Sequence, residues 1–340
     1  MAGFGFGFMT ELRQDRTSGR WVIVAPNRGG RPGRPVPAAP KGAHLLVPPF
    51  DPACPFCPGH ESRLPAILAE TGSADAPGWV VRAVPNKFPA VQASASAEAD
   101  DSGRVGPAYG FHEVIVENPR HDTDLTSLSD VEIGAVIAMY RDRFQHLLGQ
   151  PGIKSVILFR NHGARGGASQ VHPHAQIVAT GFVPTLVRQM AEWGGAYHAE
   201  HGRCPTCDEL AFEREHKVRV VEDHPDFLVL VPFAAEHPFE TWLVPRRHEA
   251  SFARMTGDRL AQFGLVLRRT LERLRIAKDD PAYNFVIDSA DRGHLQSPGL
   301  HWRLRIAPEL TAGGGFELGA GMAINPSRPE DDAALLRAAM

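Results

Sequence analysis

Residues 167–176 read GASQVHPHAQ, and this stretch places two histidines on either side of one proline. Pro173 fixes its own φ and favours extended geometry at His172. In an extended backbone, residues two positions apart point to the same face. His172 and His174 then share a face at different depths, and Gln176 returns to the face of His174. We therefore expect a structural partner to hold His172, and we expect His174 to meet the substrate as a nucleophile.

The four cysteines form two Cys-x-x-Cys pairs, Cys54 with Cys57 and Cys204 with Cys207, and a proline follows the first cysteine of each pair. Zinc ligand pairs are typically spaced in this way. A redox dithiol is the alternative, but it would need a thioredoxin-like context that two separate copies do not suggest. The spacing therefore indicates two metal sites.

Histidines at matching intervals supply the remaining ligands. His121 and His172 are 51 residues apart in the first half of the chain, and His248 and His301 are 53 residues apart in the second half. Because the chain has sixteen histidines, coincidence is the competing explanation. Four protein ligands of the Cys₂His₂ type leave zinc no position for a water, so we expect both ions to be structural.

Between the two histidines of each pair lie one helix-periodic segment and one strand-like segment, which indicates an internal duplication. Ser129 and Glu132 form a capping-box pattern at the start of the first helix. His301-Trp302-Arg303 in the second half matches His172-Pro173-His174. The candidate metal ligand is therefore present in both halves, whereas the second histidine, His174, is present only in the first. We infer one active centre at His174 in an α+β fold with a mainly antiparallel sheet.

The chain resembles the galactose-1-phosphate uridylyltransferase family of the histidine-triad superfamily. The resemblance runs from about Glu11 to Arg337 and rests on the segments RWVIVAP at 20–26, CPFCPG at 54–59, VPNKFP at 84–89, HEVIV at 112–116 and HPHAQ at 172–176. It implies two histidine-triad-like halves whose sheets form a half-barrel with flanking helices. We assign residues 1–182 to the first half, 183–202 to a connector and 203–340 to the second half.

The resemblance also implies a ping-pong reaction that moves UMP between UDP-glucose and galactose 1-phosphate through a covalent nucleotidyl-histidine. His174 would carry the nucleotide, and the Gln176 amide would donate to a phosphoryl oxygen. The expected partners are a nucleotide sugar and a sugar 1-phosphate. Members of the family are often homodimers, which leaves a homodimer open for this chain.

Further substrate contacts follow from the same resemblance. Arg28 and Arg31, which by composition alone read as part of a solvated loop, match nucleotide-contacting positions. Asn86 matches a base or ribose contact, and Lys87 follows it where related enzymes often carry an aspartate. The remaining candidates are two diphosphate-side positions in a glycine-rich stretch, a phosphate-side asparagine and two hexose-side positions: Gly167, Ser169, Asn161, Phe316 and Leu318.

Two features favour other activities. Gly315 and Ala320 stand where better-known uridylyltransferases carry a lysine and a tyrosine, and the second Cys₂His₂ set is similar to a two-zinc pattern in a branch that includes an ADP-glucose phosphorylase. An ADP-glucose phosphorylase-like adenylyltransferase is therefore the nearest alternative. A hydrolase of the same superfamily and a non-catalytic, zinc-stabilised relative also stay open.

Composition excludes several classes of protein. The net charge of −3 argues against non-specific nucleic-acid binding, which depends on a basic surface. No apolar run approaches the roughly 20 residues of a membrane span. The first eight residues lack the basic and long apolar regions of a signal peptide, and four cysteines committed to metal suit a reducing compartment. We expect a cytoplasmic enzyme.

Overall fold

The computed structural model describes residues 10–30, 47–72, 78–94 and 106–340. In these ranges the strands are β1 (Glu11–Gln14), β2 (Trp21–Val24), β3 (Ala69–Gly72), β4 (Trp79–Pro85), β5 (Gly110–Val116), β6 (Ser155–His162), β7 (His174–Thr180), β8 (Val220–Asp223), β9 (Phe227–Leu230), β10 (Thr241–Pro245), β11 (Tyr283–Asp288), β12 (Arg303–Pro308) and β13 (Ile324–Asn325). The helices are α1 (Asp130–Leu148), α2 (Thr185–His201), α3 (Pro205–His216), α4 (Asp258–Lys278), α5 (Gly315–Ala320) and α6 (Pro329–Ala338).

Ten of these strands form one sheet in the order β3-β4-β5-β7-β6-β11-β12-β10-β9-β8. Neighbouring strands are antiparallel throughout. The central pair, β6 with β11, joins a strand from each half of the chain, with Asn161 opposite Asn284. A small second sheet contains β1, β2 and β13. The predicted α+β class with a mainly antiparallel sheet is confirmed, whereas the boundaries assigned to the halves and the connector stay predictions.

Alternation along the strands builds hydrophobic layers on both faces of the sheet. Phe227 and Val229 of β9 point into the main core, whereas Leu228 and Leu230 pack with Leu210 of α3 on the other face. On the main-core face α1 packs against α4. Gly264 of α4 allows this close approach.

Local sequence signals explain where α1 begins and what it buries. Ser129 Oγ accepts from the Glu132 backbone N–H, and the Glu132 carboxylate accepts from the Ser129 backbone N–H, so the predicted capping box is present. The apolar positions that predicted the helix are all buried: Ile133, Val136, Ile137, Tyr140, Phe144 and Leu147. The matching positions of α4 are buried too: Leu260, Phe263, Leu267, Leu271 and Leu274.

The extended run predicted around Pro173 starts later than expected. β7 begins at His174, and His172 lies before the strand. Strand alternation therefore applies to His174 and Gln176, whereas the direction of His172 is set by its ligand neighbours. The candidate active site lies at the end of the sheet where β7 begins.

Candidate active site and metal centres

The first Cys₂His₂ cluster consists of Cys54, Cys57, His121 and His172, all of them buried. Cys57 Sγ lies 3.6 Å from His121 Nδ1 and 3.7 Å from His172 Nδ1, and the two Nδ1 atoms are 3.3 Å apart. Tetrahedral zinc, with Zn–S of about 2.3 Å and Zn–N of about 2.0–2.1 Å, places sulfur and nitrogen ligands roughly 3.6 Å apart and two nitrogens roughly 3.4 Å apart. The cluster has the donors and spacing to bind such an ion.

The tautomer of His172 suits this arrangement. Its Nε2 lies 2.8 Å from the Asn118 carbonyl oxygen, which can only accept, so Nε2 carries the proton. Nδ1 then presents its lone pair to the cluster. Metal-bound histidines commonly donate their second ring N–H in this way, which fixes ring orientation.

The second cluster consists of Cys204, Cys207, His248 and His301. Cys207 Sγ lies 3.4 Å from His248 Nδ1 and 3.5 Å from His301 Nδ1. Cys204 is the N-cap of α3 and Cys207 lies in its first turn, where the helix dipole stabilises thiolates. This cluster is partly open, since His248 is exposed and Cys207 is half-buried. It too could bind a metal ion.

His174 is oriented by the residue that joins the first cluster. Its Nδ1 lies 2.8 Å from the His172 carbonyl oxygen and therefore donates to it. The neutral ring then keeps a lone pair on Nε2, the atom that can attack an electrophile. Burial lowers the pKa of His174, which favours the neutral imidazole. His172 thus faces the metal cluster with its side chain and holds the candidate nucleophile with its backbone.

A cavity of about 640 Å³ opens beside His174. Asn161 at the end of β6 and Ser169 in the glycine-rich loop line it. Gly167 in this loop has φ +84°, a conformation that favours glycine, and it follows a single 3₁₀ turn at residues 164–166. A loop of this kind presents backbone groups to a ligand and can cradle phosphate oxygens.

A buried ionic network lies next to the start of β7. The Arg160 Nε donates to both carboxylate oxygens of Glu117 at 3.0 and 3.1 Å, and the Tyr140 hydroxyl donates to the same carboxylate. Arg160 also donates to Tyr283 Oη at 3.0 Å and to Asp124 Oδ2 at 3.1 Å. Glu117 is fully buried, and its backbone N–H donates to the Pro173 carbonyl oxygen at 3.0 Å. The network therefore connects α1, β6 and β11 to the start of β7.

The cavity wall nearest this network holds two ionisable side chains, Asp124 and His162, whose pKa values are shifted. Burial would raise the pKa of Asp124, but the charges of Arg160 and His162 outweigh it and hold that pKa well below its usual range. Burial would lower the pKa of His162, yet hydrogen bonds from its ring to Asp124 and Asp280 raise it. His162 also stacks on Tyr283 with ring centroids 4.6 Å apart. This wall therefore carries fixed charges of both signs.

The other predicted contacts are distributed unevenly. Asn86 Nδ2 lies 3.3 Å from Gln176 Oε1, so the structure brings these two predicted residues together. Lys87 beside it is exposed, and Arg28 lies in a 3₁₀ turn at Pro26–Gly30. Arg31 lies outside the described residues.

The two predicted hexose-side residues, Phe316 and Leu318, lie on α5 and are 50% and 89% exposed. They do not line the cavity beside His174. Within the described part of the chain, the structure therefore leaves them apart from the candidate nucleophile.

Sequence reasoning did not identify the network behind the site or the partners of the two amides. Glu117 and Arg160 each stand at the end of a hydrophobic strand, and charged residues are rarely buried unless paired, so this position was the available signal. His112 and Asn284 lie beside Gln176 and Asn161, and only the strand register reveals this proximity.

Comparison with known proteins identifies the family of this chain. The family model for the N-terminal domain of galactose-1-phosphate uridyl transferase matches residues 8–184. The chain belongs to the galactose-1-phosphate uridylyltransferase family. It is similar to an ADP-glucose phosphorylase of Arabidopsis thaliana, with 32% identity over 96% of this chain and 92% of the relative. It is also similar to a probable galactose-1-phosphate uridylyltransferase of Drosophila melanogaster, with 29% identity over 96% of this chain and 94% of the relative.

Among solved structures, the family relationship extends to the whole fold. The crystal structure of an ADP-glucose phosphorylase from Arabidopsis thaliana with bound ADP-glucose superposes with a TM-score of 0.84, at 32% identity, covering 97% of this chain and 98% of the other. In the ranges that the structure describes, no helix is both long and apolar enough to cross a membrane.

Proposed function

We propose that this chain transfers a nucleoside monophosphate from a nucleotide sugar to a phosphate acceptor through a covalent intermediate on His174 Nε2. The observation that carries this proposal is the 2.8 Å hydrogen bond from His174 Nδ1 to the His172 carbonyl. It leaves Nε2 as the free, unprotonated ring atom beside a cavity that can take a diphosphate.

The reaction runs in two displacements. In the first, Nε2 attacks the α-phosphorus, a P–N bond forms, and the bond from the α-phosphorus to the bridging oxygen breaks, which releases sugar 1-phosphate. In the second, an oxygen of the acceptor phosphate attacks the same phosphorus, the P–N bond breaks, and the electron pair returns to Nε2. One pocket serves both steps because leaving group and acceptor are both phosphates.

Donor groups on β7, on β6 and in the glycine-rich loop stabilise the charge that builds on the phosphoryl oxygens. We assign this role to the amides of Gln176 and Asn161, and to Ser169 with the backbone N–H groups of its loop. The buried network of Glu117 and Arg160 fixes the start of β7 through the hydrogen bond from the Glu117 N–H to the Pro173 carbonyl, which keeps Nε2 in line with the phosphorus.

For the substrate, we favour ADP-glucose as donor and inorganic phosphate as acceptor, with glucose 1-phosphate and ADP as products. The relative at 32% identity and the structure at TM-score 0.84 are both ADP-glucose phosphorylases. By the family resemblance, Gly315 and Ala320 also stand where better-known uridylyltransferases carry a lysine and a tyrosine. Transfer of UMP between UDP-glucose and galactose 1-phosphate, which the sequence placed first, is the second candidate, and the Drosophila relative supports it.

We further propose that zinc occupies both Cys₂His₂ clusters. When bound, the ions supply structural rigidity, because four protein ligands leave no open coordination position for chemistry. In the first cluster, Cys54, Cys57 and His121 would then hold His172, whose carbonyl orients the nucleophile. The homodimer and the cytoplasmic location stay predictions.

Product analysis tests the substrate assignment. The enzyme is incubated with ADP-glucose and phosphate, with UDP-glucose and galactose 1-phosphate, and with each nucleotide sugar alone. ADP and glucose 1-phosphate from the first mixture, at a rate well above the others, support the phosphorylase. UDP-galactose from the second mixture would favour the uridylyltransferase, and release of AMP or UMP from a nucleotide sugar alone would indicate a hydrolase.

A further inference from the structure

Two backbone N–H groups determine which atoms donate and which accept in a row of hydrogen-bonded side chains near His174. The Phe88 N–H donates to Asn86 Oδ1 at 2.8 Å, and the Ala90 N–H donates to His112 Nδ1 at 3.1 Å. A backbone N–H can only donate, so both of these side-chain atoms must accept. Neutral His112 therefore carries its proton on Nε2, and Asn86 presents its NH₂ group on the other side.

His112 Nε2 and Asn86 Nδ2 both donate toward the same oxygen. Gln176 Oε1 lies 2.9 Å from His112 Nε2 and 3.3 Å from Asn86 Nδ2, and these two nitrogens, which both donate toward the oxygen, are 3.1 Å apart. The Gln176 carbonyl oxygen is thus directed toward His112 on β5, and the NH₂ group is the end of the amide that these contacts do not use. Gln176 is two residues from His174 on β7, so both side chains lie on the same face of the sheet.

A second amide is oriented by the same kind of contact. Asn284 Nδ2 donates to the Gly166 carbonyl at 2.6 Å and to Asn161 Oδ1 at 2.8 Å. The Gly166 oxygen can only accept, which identifies the Asn284 atom as nitrogen and the facing Asn161 atom as oxygen. Asn161 therefore also has its oxygen occupied and its NH₂ group left for the cavity, apart from a long contact of 3.5 Å to the Gly167 carbonyl.

We propose that His112 and Asn284 are positioning residues that orient the Gln176 and Asn161 amides, so that both NH₂ groups face the phosphoryl oxygens during transfer. This inference rests on the proposed function of His174. A flipped amide would present an oxygen to a phosphate oxygen, which is repulsive, so prior orientation removes a reorganisation cost at the moment of reaction. Burial lowers the pKa of His112, which keeps the ring in the neutral form that the Ala90 N–H requires.

The test compares His112→Leu, which removes the donor, with His112→Gln, whose amide N–H can reach the same oxygen. Formation of the nucleotidyl-enzyme is followed by rapid quenching. We expect His112→Leu to lower the rate constant by on the order of ten- to a hundredfold with little change in KM, and His112→Gln to recover most of it. Asn284→Asp, which replaces the donor with an acceptor, is expected to lower the rate similarly. The control is His146→Leu, an exposed histidine on α1.

Rates in His112→Leu within about twofold of the wild type, or a His112→Gln variant as slow as His112→Leu, would overturn the inference. A substrate-free measurement separates it from the proposed function. Nitrogen NMR of the wild-type protein is expected to show His112 protonated on Nε2 and unprotonated on Nδ1, and the opposite tautomer would overturn the orientation argument. Absence of any nucleotidyl-enzyme in the wild type would instead contradict the proposed function.

Discussion

Replacing Glu117 with leucine tests whether the buried ionic network holds the start of β7. The Glu117 carboxylate is fully buried; its two oxygens share the Arg160 Nε–H, and it also accepts from the Tyr140 hydroxyl. Leucine fills a similar volume and accepts none of them. Among the described residues, Arg160 then keeps one ionic partner, Asp124, whose side chain is 27% exposed.

The magnitude follows from these contacts. Removing one partner of a buried ion pair typically costs about 3–5 kcal/mol, because the other charge stays buried without compensation. The unsatisfied Tyr140 hydroxyl adds about 1–3 kcal/mol. Since Asp124 retains part of the stabilisation of Arg160, we expect Glu117→Leu to lower the free energy of unfolding by about 4 kcal/mol.

Urea unfolding of the zinc-loaded protein measures this loss as a shift in the midpoint at unchanged slope. The double variant with Arg160→Met is expected to cost about 1–3 kcal/mol less than the sum of the single variants, because neither charge is left alone. The control is Arg188→Ala in the exposed pair with Glu192, where a change under about 0.5 kcal/mol is expected. A cost below about 1 kcal/mol for Glu117→Leu, or additive single costs, would refute the reasoning.

Three other predictions concern metal, pH and packing. Elemental analysis is expected to find two zinc ions per chain and to find that Cys57→Ser loses one of them, and full retention would contradict the ligand assignment. Because two aspartates raise the pKa of His162 above 6.5, its stabilising contribution is complete below that pH and is lost as pH rises through the folded value. His162→Asn should therefore destabilise the protein more at about pH 5.5 than at about pH 8.5 in urea unfolding, and equal losses would contradict the assignment. A methyl at Gly264 would lie 3.2 Å from an α1 side chain, so Gly264→Ala is expected to cost about 1–3 kcal/mol. Gly134→Ala, with open space around it, should gain about 0.5–1 kcal/mol, and a matching gain at Gly264 would refute the packing argument.

The parts of the site that lie close in sequence could be predicted. The spacing of Cys54 and Cys57 and the order of His172 and His174 depend on a few neighbouring residues, so local patterns are enough to place them. The same holds for the α1 capping box at Ser129. The matching intervals in the second half then extended the prediction to Cys204 and its partners, which the structure places within one cluster.

The parts that depend on strand register could not be predicted. The Arg160 contact with Glu117 spans 43 residues, and the contact of His112 with Gln176 spans 64 residues. Both arise only because β5, β7 and β6 are neighbours in the sheet. A sequence read segment by segment does not contain that order, and a one-residue shift in register would move each side chain to the other face.

Intact-mass measurement of the zinc-loaded protein after brief incubation with ADP-glucose tests whether His174 carries a covalent nucleotide. His174→Ala and the exposed control His146→Ala are measured beside the wild type. We expect one added nucleoside monophosphate per chain in the wild type and the control, none in His174→Ala, and loss of the adduct when phosphate is added. An adduct that persists in His174→Ala, or no adduct in the wild type with either ADP-glucose or UDP-glucose, would contradict this expectation.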